Sequence, residues 1–103
     1  MADREIRVSG RMLNVLKYLL SDLRKARSGA DIFAATKVSS GTLYPMLVRL
    51  EEAGWLVSEW ENIDPVKEGR PRRRYYSVTG LGQMKARAAL DELQFGSDPA
   101  WQL

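Results

Sequence analysis

Apolar residues recur at helical spacing over residues 9–23, where Met12, Leu16, Leu19, Leu20 and Leu23 share one face and Leu13 joins them. Ser9 offers an N-cap hydroxyl, and the polar stretch RKARSG at 24–29 ends the run, so this is the first helix. Ser28 is placed to cap a short second helix over 30–36, with Asp31 favourable in its first turn and Ile32 and Phe33 directed to the core. The segment SSGTLYPMLVRLEEAGW at 39–55 holds a third helix. In it Leu43, Leu47 and Leu50 keep helical spacing, Glu51 and Glu52 stay outside, and Gly54 accepts a left-handed C-terminal turn. Pro45 removes one backbone donor there, so this helix either starts late or kinks.

After Gly54 the period changes to two. WLVSEWE at 55–61 and RRRYYSV at 72–78 alternate apolar with polar residues and are rich in aromatic and β-branched side chains, which predicts paired strands. Between them NIDPVKEGRP is too long for a two-residue turn and suits an exposed hairpin loop, the wing. Trp55 and Trp60 fall in the first strand and are expected to be structural, covering the core or pairing across the hairpin. Thr79 then caps a last helix with the apolar stripe Leu81, Met84, Ala88, Leu90 and Leu93, ended by Gly96-Ser97-Asp98-Pro99 ahead of an AWQL tail. The expected fold class is mainly α with a small β-hairpin: three helices, a two-stranded wing and a C-terminal helix, the winged helix-turn-helix plan. Residues 1–78 form the winged helix-turn-helix unit and 79–103 the C-terminal helix and tail, within one structural unit that carries no internal repeat.

Composition narrows what this plan is for. At 103 residues the chain suits one core, and a 45% hydrophobic and 28% charged make-up is that of a globular domain rather than a disordered one. The sequence contains no cysteine and no histidine, which removes disulfides, the usual zinc ligand sets, thiol nucleophiles and imidazole-based triads. Nothing calls for a metal or cofactor. The opening MADREIRVSG carries charge where a signal peptide needs an apolar segment, so a cytoplasmic location is expected. A net charge of +3 permits a nucleic-acid partner without requiring one, so the placement of the charge has to decide.

In a winged helix-turn-helix the helix after the turn enters the major groove and the wing reaches the neighbouring backbone. Here that helix begins with Ser39, Ser40, Thr42 and Tyr44, hydroxyl donors near a positive dipole end, and Lys37 and Arg49 flank it. The bland alternative is that Ser39 is only a cap and Tyr44 is half buried. The stronger signal is on the wing, where Arg70, Arg72, Arg73 and Arg74 stand together and phosphate neutralisation releases counterions. Alternation puts Arg72 and Arg74 on one face and Arg73 opposite, so some of these arginines meet DNA while another pairs with Glu59 or Glu61.

The blocks SGTLYPMLVRLEEAGWL and GRPRRRYYSVTGLG, with Gly41-Thr42-Leu43-Tyr44-Pro45, Tyr75-Tyr76 and Thr79-x-x-Gly82, resemble the signature of PadR-type transcriptional regulators over residues 8–93. The resemblance implies a dimeric repressor of its own or a neighbouring operon, released from DNA by a small-molecule effector or another signal, and the two-fold geometry of such a dimer predicts an inverted-repeat operator. It implies DNA-facing positions at Ser39, Ser40, Thr42 and Tyr44 and on the arginines after Gly69. The length is similar to that of the short subgroup, whose last helix packs on its twin. Leu81 and Met84 are accordingly expected inside the monomer, and Ala88, Leu90 and Leu93 against the partner. Some short relatives stack flat drugs on a tryptophan of this helix, and Leu93 takes that position here, which puts a drug pocket in doubt. Trp101 in the tail is expected to be a packing anchor at most.

Two other classes compete. A winged helix that binds protein instead of DNA has no need of an arginine cluster beside a polar helix start. An enzyme needs convergent acid, base or nucleophile groups. Glu51 and Glu52 are adjacent on a helix, so they diverge by about 100° and form a solvated face.

Overall fold

The computed structural model describes residues 6–95, with side chains through Glu92. Helix α1 spans Gly10–Leu20, with Ser9 Oγ accepting the Met12 N–H at 3.2 Å, as the sequence predicts. It stops short of Leu23 because the Arg27 guanidinium closes its C-terminal end. Arg27 is buried, lies 4.2 Å over the Tyr18 ring and donates to the Tyr18 carbonyl at 3.3 Å. A cation at a helix C-terminus meets the negative end of the dipole, which offsets part of the burial of that charge.

Arg27–Ser28 form a two-residue strand β1, and α2 follows at once over Gly29–Thr36. Ser28 and Asp31 complete a capping box: each side chain accepts the other's backbone N–H, at 3.0 and 3.1 Å. Ile32 is fully buried, but Phe33 is 46% exposed, so the expectation that both face the core is corrected. Their difference is one step around the helix, and only one side of this short helix touches the domain.

Lys37 turns the chain with a left-handed backbone, φ 61°, and α3 runs over Ser40–Glu52. Leu43, Met46, Leu47 and Leu50 are fully buried along its inner side, each contributing roughly 1.5–3 kcal/mol relative to exposure. Pro45 sits within the helix on its exposed side, leaving the Gly41 carbonyl without a helical donor where solvent reaches it. The helix ends as predicted at Gly54, φ 84°, with Trp55 N–H on the Leu50 carbonyl at 2.9 Å and Gly54 N–H on that of Glu51 at 3.0 Å.

Strands β2 (Leu56–Trp60) and β3 (Arg74–Val78) pair antiparallel, with Leu56 opposite Val78 and Trp60 opposite Arg74. The predicted two-stranded hairpin is in fact the larger part of a three-stranded sheet of order β1-β3-β2, because Arg27 and Ser28 pair with Tyr76 and Tyr75. The wing loop also holds one helical turn, α4 (Pro65–Glu68), capped by the Asp64 side chain on the Val66 N–H at 3.0 Å.

Helix α5 spans Gly80–Phe95. Thr79 caps it by accepting the Gly82 N–H at 2.9 Å and, through the same hydroxyl, donates to the Gly54 carbonyl at 2.6 Å, tying the helix to the end of α3. Its inward residues are Gly82 and Ala86, whereas Leu81 is 37% and Met84 61% exposed. The expectation that Leu81 and Met84 fill the monomer core is therefore corrected. Gly82 lies so close to the Trp55 backbone that α5 meets the domain through its small residues, which turns the large ones outward. No helix among the described residues is long and apolar enough to cross a membrane.

Candidate nucleic-acid interface

Residues of α3 follow one another by about 100°, and their exposures divide the helix into an inner face and an outer one. Gly41, Pro45 and Val48 occupy the middle of the outer face. Tyr44 borders it on one side, and Thr42 and Arg49 border it on the other. Tyr44 is 47% exposed, so it is half covered, as in the bland alternative, and half open to the outer face. Sequence reasoning named the flanks and missed the centre. Gly41 and Pro45 present little side chain and Val48, 53% exposed, presents methyl groups, so the middle of this face is low and partly apolar. The signal available in the sequence was the period itself, read outward instead of inward.

Ser39 precedes the helix but its hydroxyl accepts no backbone N–H; it lies 3.5 Å from the Thr42 hydroxyl. Ser39 and Ser40 are exposed. This helix start is thus built differently from those of α1 and α2, where Ser9 and Ser28 close the first turn with their side chains.

Tyr44 leans over the start of α2. A side chain at Gly29 would place its Cβ 2.9 Å from the Tyr44 ring, so glycine at that position is what admits the tyrosine. Tyr44 and Gly29 line one groove together with Trp60, Arg72, Arg73 and Arg74 of the hairpin. The helix flank and the wing's basic segment therefore share a single concave surface, with aromatic walls and cationic edges. Trp60 is 59% exposed within it and pairs across the hairpin with Arg74, one of the two placements expected of it, whereas Trp55 is buried in the core.

The four wing arginines have separate positions. Arg70 is bound to Glu61 through two bonds of 2.7 and 2.9 Å, and this pairing holds the Glu61 carboxyl down at about 2 from 4.5. Arg74 donates to Ser58 Oγ at 2.8 Å, approaches Glu51 to 3.6 Å and lies 5.0 Å over the Trp60 ring. Ser58 in turn donates to the same Glu51 oxygen at 2.7 Å, so Glu51 is not a solvated face but the anchor that ties the hairpin to α3. Arg72 and Arg73 are exposed. Arg72 donates through Nε to the Ile63 carbonyl at 3.1 Å, and the Arg73 backbone N–H reaches Glu61 at 3.2 Å. Neither of these two guanidinium groups has a carboxylate partner among the described residues. Two of the four positive charges are thus neutralised within the fold, and two remain on the groove's rim.

Lys37 and Thr42 lie on the opposite side of α3, in a polar cleft completed by Arg11 and Asn14 of α1, residues that sequence reasoning did not single out. On α5, Ala88 is exposed beside Met84 on one side of the helix. Leu90 is half buried on another, next to Lys17 and Leu20 of α1. The Leu93 side chain and the Trp101 tail lie outside the described residues. Among the described residues no cluster of three or more acidic or other ligating side chains is placed to hold a metal.

Comparison with known proteins gives one answer. The sequence model of the transcriptional regulator PadR-like family matches residues 22–88. The transcriptional regulator Rv3488 of Mycobacterium tuberculosis is 48% identical over 60 residues, 55% of this chain and 51% of that protein, so the match spans about half the length of this curated relative. The structure of a PadR-like transcription factor from Bacteroides fragilis is similar, with a TM-score of 0.61 and 31% identity over 81% of this chain and 84% of that one. A PadR family transcriptional regulator from Eggerthella lenta is likewise similar, with a TM-score of 0.63 and 28% identity over 78% and 70%.

Proposed function

The chain belongs to the PadR-like family of transcriptional regulators, and from that premise we propose that it binds duplex DNA as a two-fold dimer and represses its own or a neighbouring operon. Helix α3 enters the major groove by its Gly41, Pro45 and Val48 face, with Ser39, Ser40, Thr42, Tyr44 and Arg49 at its margins. The wing lies on the adjoining backbone through Arg72 and Arg73. Arg70 and Arg74 serve there by holding the wing in shape, since their charges are already matched by Glu61 and Glu51.

The observation that carries this reading is the groove shared by Tyr44 and the wing arginines, which makes helix and wing one surface fit for a sugar–phosphate strand. The Glu51, Ser58 and Arg74 chain fixes their relative angle, so little ordering is left to be done on binding. A second copy packs on α5, where Ala88 with the exposed Met84 offers one side of the helix and Leu90 another. The two α3 helices of the dimer then meet an inverted repeat with half-sites roughly 34 Å apart.

Fluorescence anisotropy with duplex DNA from upstream of the chain's own gene, against a scrambled duplex and across a salt series, tests the reading. Tighter binding to the upstream duplex that weakens with salt is the expected result. No binding to either duplex near about 100 mM salt overturns it and favours a winged helix that docks on protein.

A further inference from the structure

We propose that the cleft formed by Arg11 and Asn14 of α1 with Lys37, Ser39 and Thr42 is a second phosphate site, one that takes the DNA strand on the far side of the major groove from the wing. The inference rests on the DNA-binding reading and adds to it a set of residues on α1 that the helix-and-wing picture leaves without a role.

A helix lying in the major groove is bordered by two backbones, one along each of its flanks. Tyr44 marks the flank that faces the wing. Thr42 stands two residues earlier, on the other side of the outward face, and it is Thr42 that lines this cleft. A strand running past the Thr42 flank meets no part of the wing; what it meets is the exposed first turn of α1 and the turn between α2 and α3.

The chemistry of the cleft fits a phosphate diester. Its volume is about 330 Å³. Arg11 and Lys37 supply two cations, and Asn14, Ser39 and Thr42 supply neutral donors. Among the described residues no carboxylate lines it, and the side chains of Arg11, Asn14 and Lys37 have no hydrogen-bond or ion-pair partner. Arg11 and Asn14 are both exposed and lie three residues apart, so they sit on one face of α1 and point the same way. The position of Arg11 is also unfavourable for the helix it belongs to. A cation in the first turn opposes the dipole, and α1 has no acidic residue there to offset it. A phosphate in the cleft supplies the missing anion.

Arg11→Gln tests the site without endangering the fold, because glutamine has a similar helix propensity and the substitution relieves the dipole. The probe is a random-sequence duplex two turns long, on which binding to the backbone alone is read. The expected result is binding weakened by about three- to tenfold, with the slope of log affinity against log salt reduced by about 0.9 for each phosphate no longer neutralised. Arg11→Lys restores most of both quantities, which a merely structural role of the guanidinium does not explain. Combining Arg11→Gln with Arg73→Gln gives the sum of the two effects, since the residues act on different strands. Unchanged affinity and slope for Arg11→Gln, on a duplex that the unsubstituted protein binds, overturn the second site alone. If the unsubstituted protein leaves the duplex free even at low salt, the DNA-binding reading fails and the site fails with it.

Discussion

Arg70 and Glu61 meet across the base of the wing with Nη1 on Oε1 at 2.7 Å and Nη2 on Oε2 at 2.9 Å. The Arg70 bond is the largest cause of the depressed Glu61 carboxyl, and the Arg73 backbone N–H adds to it. The unfolded chain takes up this proton near pH 4.5, whereas the folded protein refuses it until about pH 2. Stability from this pair is therefore complete above about pH 4.5 and is lost progressively as pH falls from there to about 2. Glu61→Gln removes that contribution to the pH dependence, and urea midpoints measured through this window show a flatter acid limb than those of the unsubstituted protein.

Gly82 is the point at which α5 enters the domain. A Cβ there would meet the Trp55 carbonyl oxygen and lie 2.7 Å from the Trp55 carbonyl carbon, atoms of a backbone that the end of α3 holds in place. Gly82→Ala raises helix propensity, yet the overpacking dominates, and the substitution destabilises the fold by about 1–3 kcal/mol. Equilibrium unfolding in urea reads this directly. Gly80→Ala is the control, since a Cβ at Gly80 meets nothing within 4 Å.

Lys37 carries a positive φ of 61° that glycine adopts without strain. Lys37→Gly is expected to stabilise the fold by about 0.5–1 kcal/mol in urea unfolding. The same substitution weakens DNA binding in anisotropy, because it takes the cation away from the Thr42 flank of α3. Opposite signs in the two measurements separate a residue kept for its charge from one kept for the turn.

The sequence discloses the elements that are long enough to show a period. Leu43, Leu47 and Leu50 announce α3, and Ser9, Ser28 and Thr79 mark three helix starts through a hydroxyl that the structure uses in each case. A strand of two residues has no period to read, so β1 is hidden in what looks like a polar break, and Arg27 within it becomes a buried helix cap only once Tyr18 folds beneath it. The turn of α4 is short but left a local trace, Asp64 before Pro65, the pairing of an N-cap with proline at the first helical position.

The site was legible in its composition more than in its arrangement. Clustered arginines pointed to the wing, but sequence spacing does not assign one partner to each of them. Arg74 finds Glu51 only because β2 folds back along α3, and Arg70 finds Glu61 across the hairpin. Large apolar residues drew attention on α5, whereas close approach to the Trp55 backbone is possible only for Gly82 and turns Leu81 and Met84 to the surface. Arg11 and Asn14 were not legible at all, since they join the turn before α3 only in three dimensions.

The central claim is that α3 and the wing form one DNA-binding surface, and the most direct measurement is an amide chemical-shift titration of the labelled protein with duplex DNA. Shifts concentrated at residues 39–49 and 70–74, with smaller ones near Arg11 and Asn14, are the predicted result. Shifts confined to α5 around Met84 and Ala88, with α3 and the wing unmoved, would contradict it.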